Sequence, residues 1–142
     1  RADSVWAYQL VVVVDDAFQG VNQVVRGADL LDSTPRQIFL QQLLGYPMPA
    51  YMHIPVIANA SGEKLSKQTL APALLAGREV EQLWQALSLL WQGPPVELLG
   101  ADLRSLWRWA VAHWSIASIP GKRAISVVID PNNQFRFLES WK

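Results

Sequence analysis

The sequence predicts an α/β fold from three observations: a β-branched apolar run near the start, two segments in the second half with apolar residues at helical spacing, and two apolar runs around an Asn-rich turn at the end. Its 142 residues suffice for one ordinary domain, and with 51% hydrophobic and 17% charged residues the chain can bury a core. Intrinsic disorder is excluded on the same grounds. Twelve basic residues balance twelve acidic ones, so net charge alone marks no nucleic-acid surface. The charges are nonetheless uneven. Asp3, Asp15, Asp16, Asp29 and Asp32 outnumber Arg1 and Arg26 early on, whereas Lys122, Arg123, Arg136 and Lys142 outnumber Asp130 and Glu139 after Pro120.

Taken in order, Tyr8 to Asp16 is apolar at consecutive positions and rich in valine, which predicts a strand buried on both faces, as in a parallel sheet covered by helices. Gly20 to Gly27 reads as a second strand between glycines, with Arg26 at its end, where ligands bind in open α/β sheets. Thr34-Pro35-Arg36-Gln37 carries an N-cap hydroxyl, a proline for the first helical position and a glutamine three residues after the cap. It predicts a helix whose apolar side is Ile38, Phe39, Leu40, Leu43 and Leu44 and whose stop is Gly45. His53 to Asn59 is a third extended segment, interrupted by Pro55. Ser61 to Gln68 is polar and glycine-led, and predicts a surface loop.

Helical spacing then sets in. Val80, Leu83, Trp84, Leu87, Leu90 and Trp91 form one helix face, ended by Gly93-Pro94-Pro95, and Leu103, Leu106, Trp107, Ala110, Val111 and Trp114 form a second. The two are expected to pair as a helical hairpin, with Trp84, Trp91, Trp107 and Trp114 in the core and Trp109 exposed. Ala124 to Asp130 and Gln134 to Leu138, around Pro131-Asn132-Asn133, predict a terminal β-hairpin.

The absence of cysteine rules out disulfides, thiolate catalysis, iron–sulfur clusters and thiolate zinc sites within this chain. No apolar stretch approaches the roughly 20 residues of a spanning helix, and the start Arg1-Ala2-Asp3-Ser4 has no signal-peptide layout, so the expected location is cytoplasmic. A first residue that is not Met, followed directly by an apolar segment, reads as the continuation of something longer.

Lys64-Leu65-Ser66-Lys67-Gln68 is the most informative stretch. Two lysines with a hydroxyl between them can neutralise charge that grows on a departing pyrophosphate, although the plain reading of these residues alone is a solvated loop. No Walker-type glycine loop accompanies them. Asp15 and Asp16 suggest a metal or base pair but fit turn-capping better. His53 and His113 have no third ligand in view, so no metal site is expected. Arg104 and Arg108, one helical turn apart, could touch RNA phosphate, with a solvated face as the alternative.

The combined run of Tyr8-Gln9-Leu10, Asp15-Asp16, Phe18-Gln19-Gly20, Arg26-Gly27-Ala28-Asp29, Thr34-Pro35-Arg36-Gln37, Leu44-Gly45-Tyr46, His53-Ile54-Pro55 and Gly62-x-Lys64-Leu65-Ser66-Lys67 resembles the second half of the class I glutamyl-tRNA synthetase catalytic domain over about residues 3–70. Within that group it looks most like the glutamyl-queuosine tRNA(Asp) synthetases, shortened paralogues that place glutamate on a modified anticodon base. Gly27-Ala28-Asp29 and Gln68 fit the paralogue, where the ordinary synthetases have Gly-Glu-Asp-His and an arginine.

The resemblance implies a Rossmann-type nucleotide-binding sheet, followed here by a helical region and the hairpin. It implies that Lys64, Leu65, Ser66, Lys67 and Gln68 form the KMSKS-type ATP loop, with Lys67 the catalytic lysine, that Tyr8 and Arg26 bind glutamate, and that ATP, Mg²⁺ and tRNA(Asp) carrying queuosine are the companions of the reaction. An arginine fork suits a carboxylate, and adenylate formation needs no strong base because the attacking carboxylate is already ionised. The family's HIGH-type motif and the paralogue's zinc insertion have no counterpart in these residues. The chain is therefore expected to be the C-terminal part of the enzyme and inactive by itself, with residues 1–70 in the catalytic domain, 71–118 helical and 119–142 a tail of unclear origin. A fragment of an ordinary glutamyl-tRNA synthetase, and a non-catalytic module that binds ligand or self-associates through exposed apolar surface, are the alternatives.

Overall fold

A computed structural model describes residues 6–66, 71, 73–130 and 135–137. The chain divides into two compact units, Arg1–His53 and Ile54–Lys142. Both mix helices with small sheets.

The first unit opens with an α-helix, α1, over Tyr8–Phe18, where the sequence predicts a strand. A short apolar run looks alike in a buried strand and in a helix, and the pattern of burial shows which period governs. Gln9, Leu10, Val13, Asp16 and Ala17 are covered, while Val11, Val14, Asp15 and Phe18 are exposed. That is one face of a helix, not two faces of a strand. Valine is a weak helix former, by roughly half a kcal/mol against alanine. Tertiary bonds offset this: the Gln9 amide donates to Ser33 Oγ at 3.0 Å and accepts from Gln37 Nε2 at 2.8 Å. Asp15 and Asp16 sit in the last turns of α1, where their carbonyls accept from the N–H groups of Gln19 and Val21. They are not a strand end.

Strand β1, Gln23–Gly27, pairs with β2, Ala50–Ile54, in a two-stranded sheet. Between them a 3-10 turn, Ala28–Ser33, runs directly into α2, Thr34–Leu44. Pro35 lies in the first turn of α2, but Thr34, expected as the cap, is itself the first helical residue; Ser33 holds the cap position and no side chain caps the helix. The Thr34 N–H already bonds the Leu31 carbonyl, which leaves the Thr34 hydroxyl available for other partners. The helix stops as expected at Gly45, whose φ of +66° suits only glycine at low cost. Gly45 N–H bonds Gln42 O and Tyr46 N–H bonds Gln41 O, the paired closure that satisfies the last carbonyls. The buried side of α2 differs from expectation: Thr34, Gln37 and Gln41 are buried, and Phe39, Leu43 and Leu44 are exposed. The amide nitrogens of this polar stripe are hydrogen-bonded, Gln37 Nε2 to Gln9 and Gln41 Nε2 to Tyr51 Oη at 2.9 Å, whereas Oε1 of Gln37 and of Gln41 is buried without a partner among the described residues.

Pro55, with no N–H to give, divides the extended segment expected over His53 to Asn59 into two strands of different sheets. The second, β3 (Val56–Ala58), opens the second unit and pairs in parallel with β4, Ala124–Ile129, with Ile57 opposite Ile125. Strand β5, Phe135–Phe137, pairs antiparallel with β4, Ile129 opposite Phe135, so the terminal hairpin is present. Leu89, Ile125 and Val127 are buried together on this sheet, with Ile57, Leu65 and Phe135 packed around them.

Helices α3, Glu79–Leu89, and α4, Leu103–His113, form the expected helical hairpin around Leu87, Leu106 and Ala110. Asp102 caps α4 by accepting the Ser105 N–H at 2.7 Å, a bond that holds its carboxyl below the usual range. The tryptophan expectations are partly reversed. Trp84 and Trp109 pack on this core, whereas Trp107 is 53% exposed and Trp91 and Trp114 are exposed as well. Apolar residues cover more than half the circumference of α4, and the partner α3 covers one side only, so Leu103, Trp107, Val111 and Trp114 stay outside. Among the described residues no helix is long and apolar enough to cross a membrane.

Candidate functional site

Arg26 stands at the end of β1, as the sequence predicts, and the fold surrounds its guanidinium on three sides. From α2, Thr34 Oγ1 accepts from Arg26 Nη2 at 2.7 Å. From β2, His53 Nε2 faces Arg26 Nε at 3.3 Å and Thr34 Oγ1 at 2.9 Å. The Tyr51 ring centroid lies 5.2 Å from Arg26 Cζ, within cation–π range. Tyr51 and His53, two residues apart on one strand, share a face, and their rings stack at 6.4 Å and 8°. A longer contact of 3.4 Å joins Nη2 to the Leu30 carbonyl.

The donors fix the protonation pattern. Arg26 can only donate, so Thr34 Oγ1 accepts from it and passes its own hydrogen to His53 Nε2, which must be an unprotonated acceptor. Burial, then the charge of Arg26, push His53 below its ordinary value of 6.5, in keeping with a neutral ring. Arg26 is thereby held through Nε and Nη2. Its Nη1 hydrogens take no bond among the described residues, and an end-on fork of Nη1 and Nη2 opens to a carboxylate if the weak Leu30 contact yields.

Tyr8 is 55% exposed in the first turn of α1, and its hydroxyl takes no part in the Arg26 bonds. Sequence spacing does not mark Thr34, Tyr51 and His53 as partners of Arg26: in their local contexts Thr34 reads as a helix cap and His53 as an isolated histidine. The one available signal was the alternation of Tyr51 and His53, which places both rings on the same strand face.

The lysine loop begins in the second unit at the surface, as expected, with residues 60–64 exposed, and its start is a tight reverse turn. Lys64 bridges antiparallel to Ala58, and the Leu65 N–H bonds the Ile57 carbonyl at 2.8 Å, so the chain folds back along β3. Asn59 organises the turn: its Oδ1 accepts from the N–H groups of Ser61 at 3.0 Å and Glu63 at 2.9 Å, and its Nδ2 donates to Glu63 Oε2 at 2.9 Å. Gly62, with φ of +80°, makes the reversal possible. Leu65 points into the apolar cluster on the sheet and anchors the loop. Ser66 O accepts from the Ala71 N–H. Lys67 and Gln68 lie outside the described residues.

Among the described residues no three His, Cys, Asp or Glu side chains gather into a metal site. His113 is occupied otherwise: Nδ1 meets the Trp109 carbonyl at 2.9 Å and its ring stacks on Trp109 at 4.8 Å. Arg104 and Arg108 are exposed on α4.

The mixed α/β architecture is consistent with a class I synthetase catalytic domain. The profile described as "tRNA synthetases class I (E and Q), catalytic domain" matches residues 1–83, more than half of the chain, and the chain belongs to that family. Its similar relatives narrow the kind. A protein of Aromatoleum aromaticum named Glutamyl-Q tRNA(Asp) synthetase is 58% identical over 120 residues, 84% of this chain and 38% of the relative. Proteins of the same name from Thiobacillus denitrificans, 58% identical over 84% of this chain and 40% of the relative, and Dechloromonas aromatica, 54% identical over 88% and 42%, match similarly. The chain spans about two fifths of the length of the curated relatives it matches.

Proposed function

We propose that this chain forms one wall of the active site of an enzyme that activates glutamate with ATP and transfers it to queuosine in tRNA(Asp). The observation that supports this most is the Arg26 guanidinium, held by Thr34, His53 and Tyr51 with its Nη1 end available. In this reading Arg26 binds a carboxylate of glutamate and Tyr8 addresses a second polar group of the amino acid. The other carboxylate attacks the α-phosphorus of ATP, its oxygen forming the new bond as pyrophosphate leaves. Lys64 and Lys67 neutralise the charge that grows on the departing group, with Leu65, Ser66 and Gln68 completing the ATP loop. Mg²⁺ travels with the ATP phosphates in this proposal, since Mg²⁺ is commonly held by substrate phosphates and few protein groups.

The same proposal assigns residues 1–70 to the second, C-terminal half of a Rossmann-type catalytic domain, residues 71–118 to a helical region and residues 119–142 to a hairpin tail. It places the enzyme in the cytoplasm, with self-association through the exposed α4 face. The test is glutamate-dependent ATP–pyrophosphate exchange without tRNA, on this chain alone and with this chain replacing the matching part of the Thiobacillus denitrificans relative. The chain alone should be silent and the joined protein active. Lys67→Ala should abolish exchange and leave glutamate binding nearly intact. Arg26→Ala removes charge-assisted bonds and should raise the glutamate KM roughly 10- to 100-fold. An unchanged KM removes Arg26 from the site.

A further inference from the structure

We infer that Thr34 and His53 are positioning residues for Arg26, and that the His53 ring must stay neutral for Arg26 to hold an anionic ligand in its working orientation. The inference rests on the reading of Arg26 as the glutamate-binding group.

An arginine at a strand end has several rotatable bonds and, left alone, samples many orientations at a cost of about 2 kcal/mol when it is fixed. Here that freedom is removed before any ligand arrives. Thr34 Oγ1 takes Nη2 at 2.7 Å, His53 Nε2 takes the Thr34 hydrogen at 2.9 Å and faces Nε at 3.3 Å, and the Tyr51 ring covers Cζ at 5.2 Å. The three atoms Nη2, Oγ1 and Nε2 form a directed chain of donors, and each link depends on the next. It can run in one direction only, because arginine has no acceptor. A proton on Nε2 reverses the last link. Thr34 Oγ1 would then face two donors with no acceptor for its own hydrogen, and a second positive charge would stand beside the guanidinium.

Around His53, Arg26 comes from β1 and Thr34 from α2, and Tyr51 stacks from the same strand. Asp29 and Asp32, on the 3-10 turn that leads into α2, are the acidic groups of the adjoining element and have interactions of their own. The depressed basicity of His53 agrees with the geometry.

The experiment uses the full 142-residue chain and two readouts. The first needs no substitution: nitrogen-15 spectra of the imidazoles, recorded from about pH 5 to 8, should show His53 with Nδ1 protonated and Nε2 bare at neutral pH. The Arg26 Nε–H signal should broaden as His53 titrates. A His53 ring protonated on Nε2 at neutral pH overturns the inference. The second readout is L-glutamate affinity. Wild-type Kd should rise as pH falls through the His53 titration, and His53→Gln should remove that pH dependence. Thr34→Val should weaken binding about 10- to 30-fold, the lower end of the effect of one bond to a charged group, and Thr34→Ser should restore it. A pH profile that His53→Gln leaves unchanged, or a Thr34→Val chain that binds as wild type, also overturns the inference. Failure of the underlying reading looks different: Arg26→Ala then binds glutamate like wild type, or wild type does not bind it, while the imidazole and Arg26 signals still decide the positioning.

Discussion

Replacing Asn59 by alanine isolates what a single side chain contributes to the turn that delivers the lysine loop. Asn59→Ala deletes two bonds to backbone N–H groups, at Ser61 and Glu63, and one to the Glu63 carboxylate. The site is exposed, so each bond belongs at the low end of the usual range, about 0.5 kcal/mol, for a local loss of about 1–1.5 kcal/mol. The backbone bonds from Asn59 N to Glu63 O at 2.8 Å and from Gly62 N to Asn59 O at 3.0 Å remain, so the turn loosens without disappearing. Amide hydrogen exchange reads this directly: protection at Ser61 and Glu63 should fall roughly 5- to 10-fold, with amides of β4 unchanged. Asn59→Asp keeps the acceptor for both N–H groups and should preserve that protection, while setting a carboxylate beside Glu63. In pyrophosphate exchange by the protein joined to the missing part of the relative, Asn59→Ala should lower kcat and spare the glutamate KM, because the turn leads to Lys64 and not to Arg26. Equal protection at Ser61 and Glu63 in wild type and Asn59→Ala would refute the reasoning.

Leu106 is fully buried between Leu87 and Ala110, so Leu106→Ala should cost about 3 kcal/mol in urea denaturation, and a loss below about 1 kcal/mol would mean that the helical hairpin is not packed as described. Folding stability should also depend on His53: above pH 6.5 folded and unfolded chains both carry it neutral, whereas below that value the unfolded chain takes up a proton that the folded one resists. Stability should therefore fall as pH drops from 6.5 towards the folded value and then level off, and a urea midpoint with the same pH profile in His53→Gln would contradict this. The α4 face should drive association: sedimentation of the wild-type chain should show species above monomer mass, and Trp107→Glu with Val111→Glu, at positions 53% and 77% exposed, should return it to monomer. A wild-type chain that stays monomeric at high concentration removes that surface from consideration.

The sequence by itself determined the features that depend on near neighbours in the chain. The first-turn proline and Gly45 stop of α2, the paired helices at residues 79–113 and the pairing of the last two strands follow from proline and glycine chemistry and from spacing. The family too was legible, because the arginine, the threonine–proline pair and the lysine loop keep a fixed order. Tertiary structure decided the rest. Whether Tyr8–Phe18 would be strand or helix depended on how many of its faces were covered, and only one is. Which side of α2 and α4 turned inward depended on hydrogen-bond partners and on how much of each helix a neighbour covers, so glutamines are buried while Trp107 is not. The support of Arg26 came from residues 8 and 27 positions away in sequence. Thr34 and His53 are ordinary residues in their local contexts. They become a donor chain only when the pairing of β1 with β2 and the start of α2 bring their polar atoms within 3.3 Å of the same guanidinium, because hydrogen bonds depend on distance and direction rather than on sequence separation.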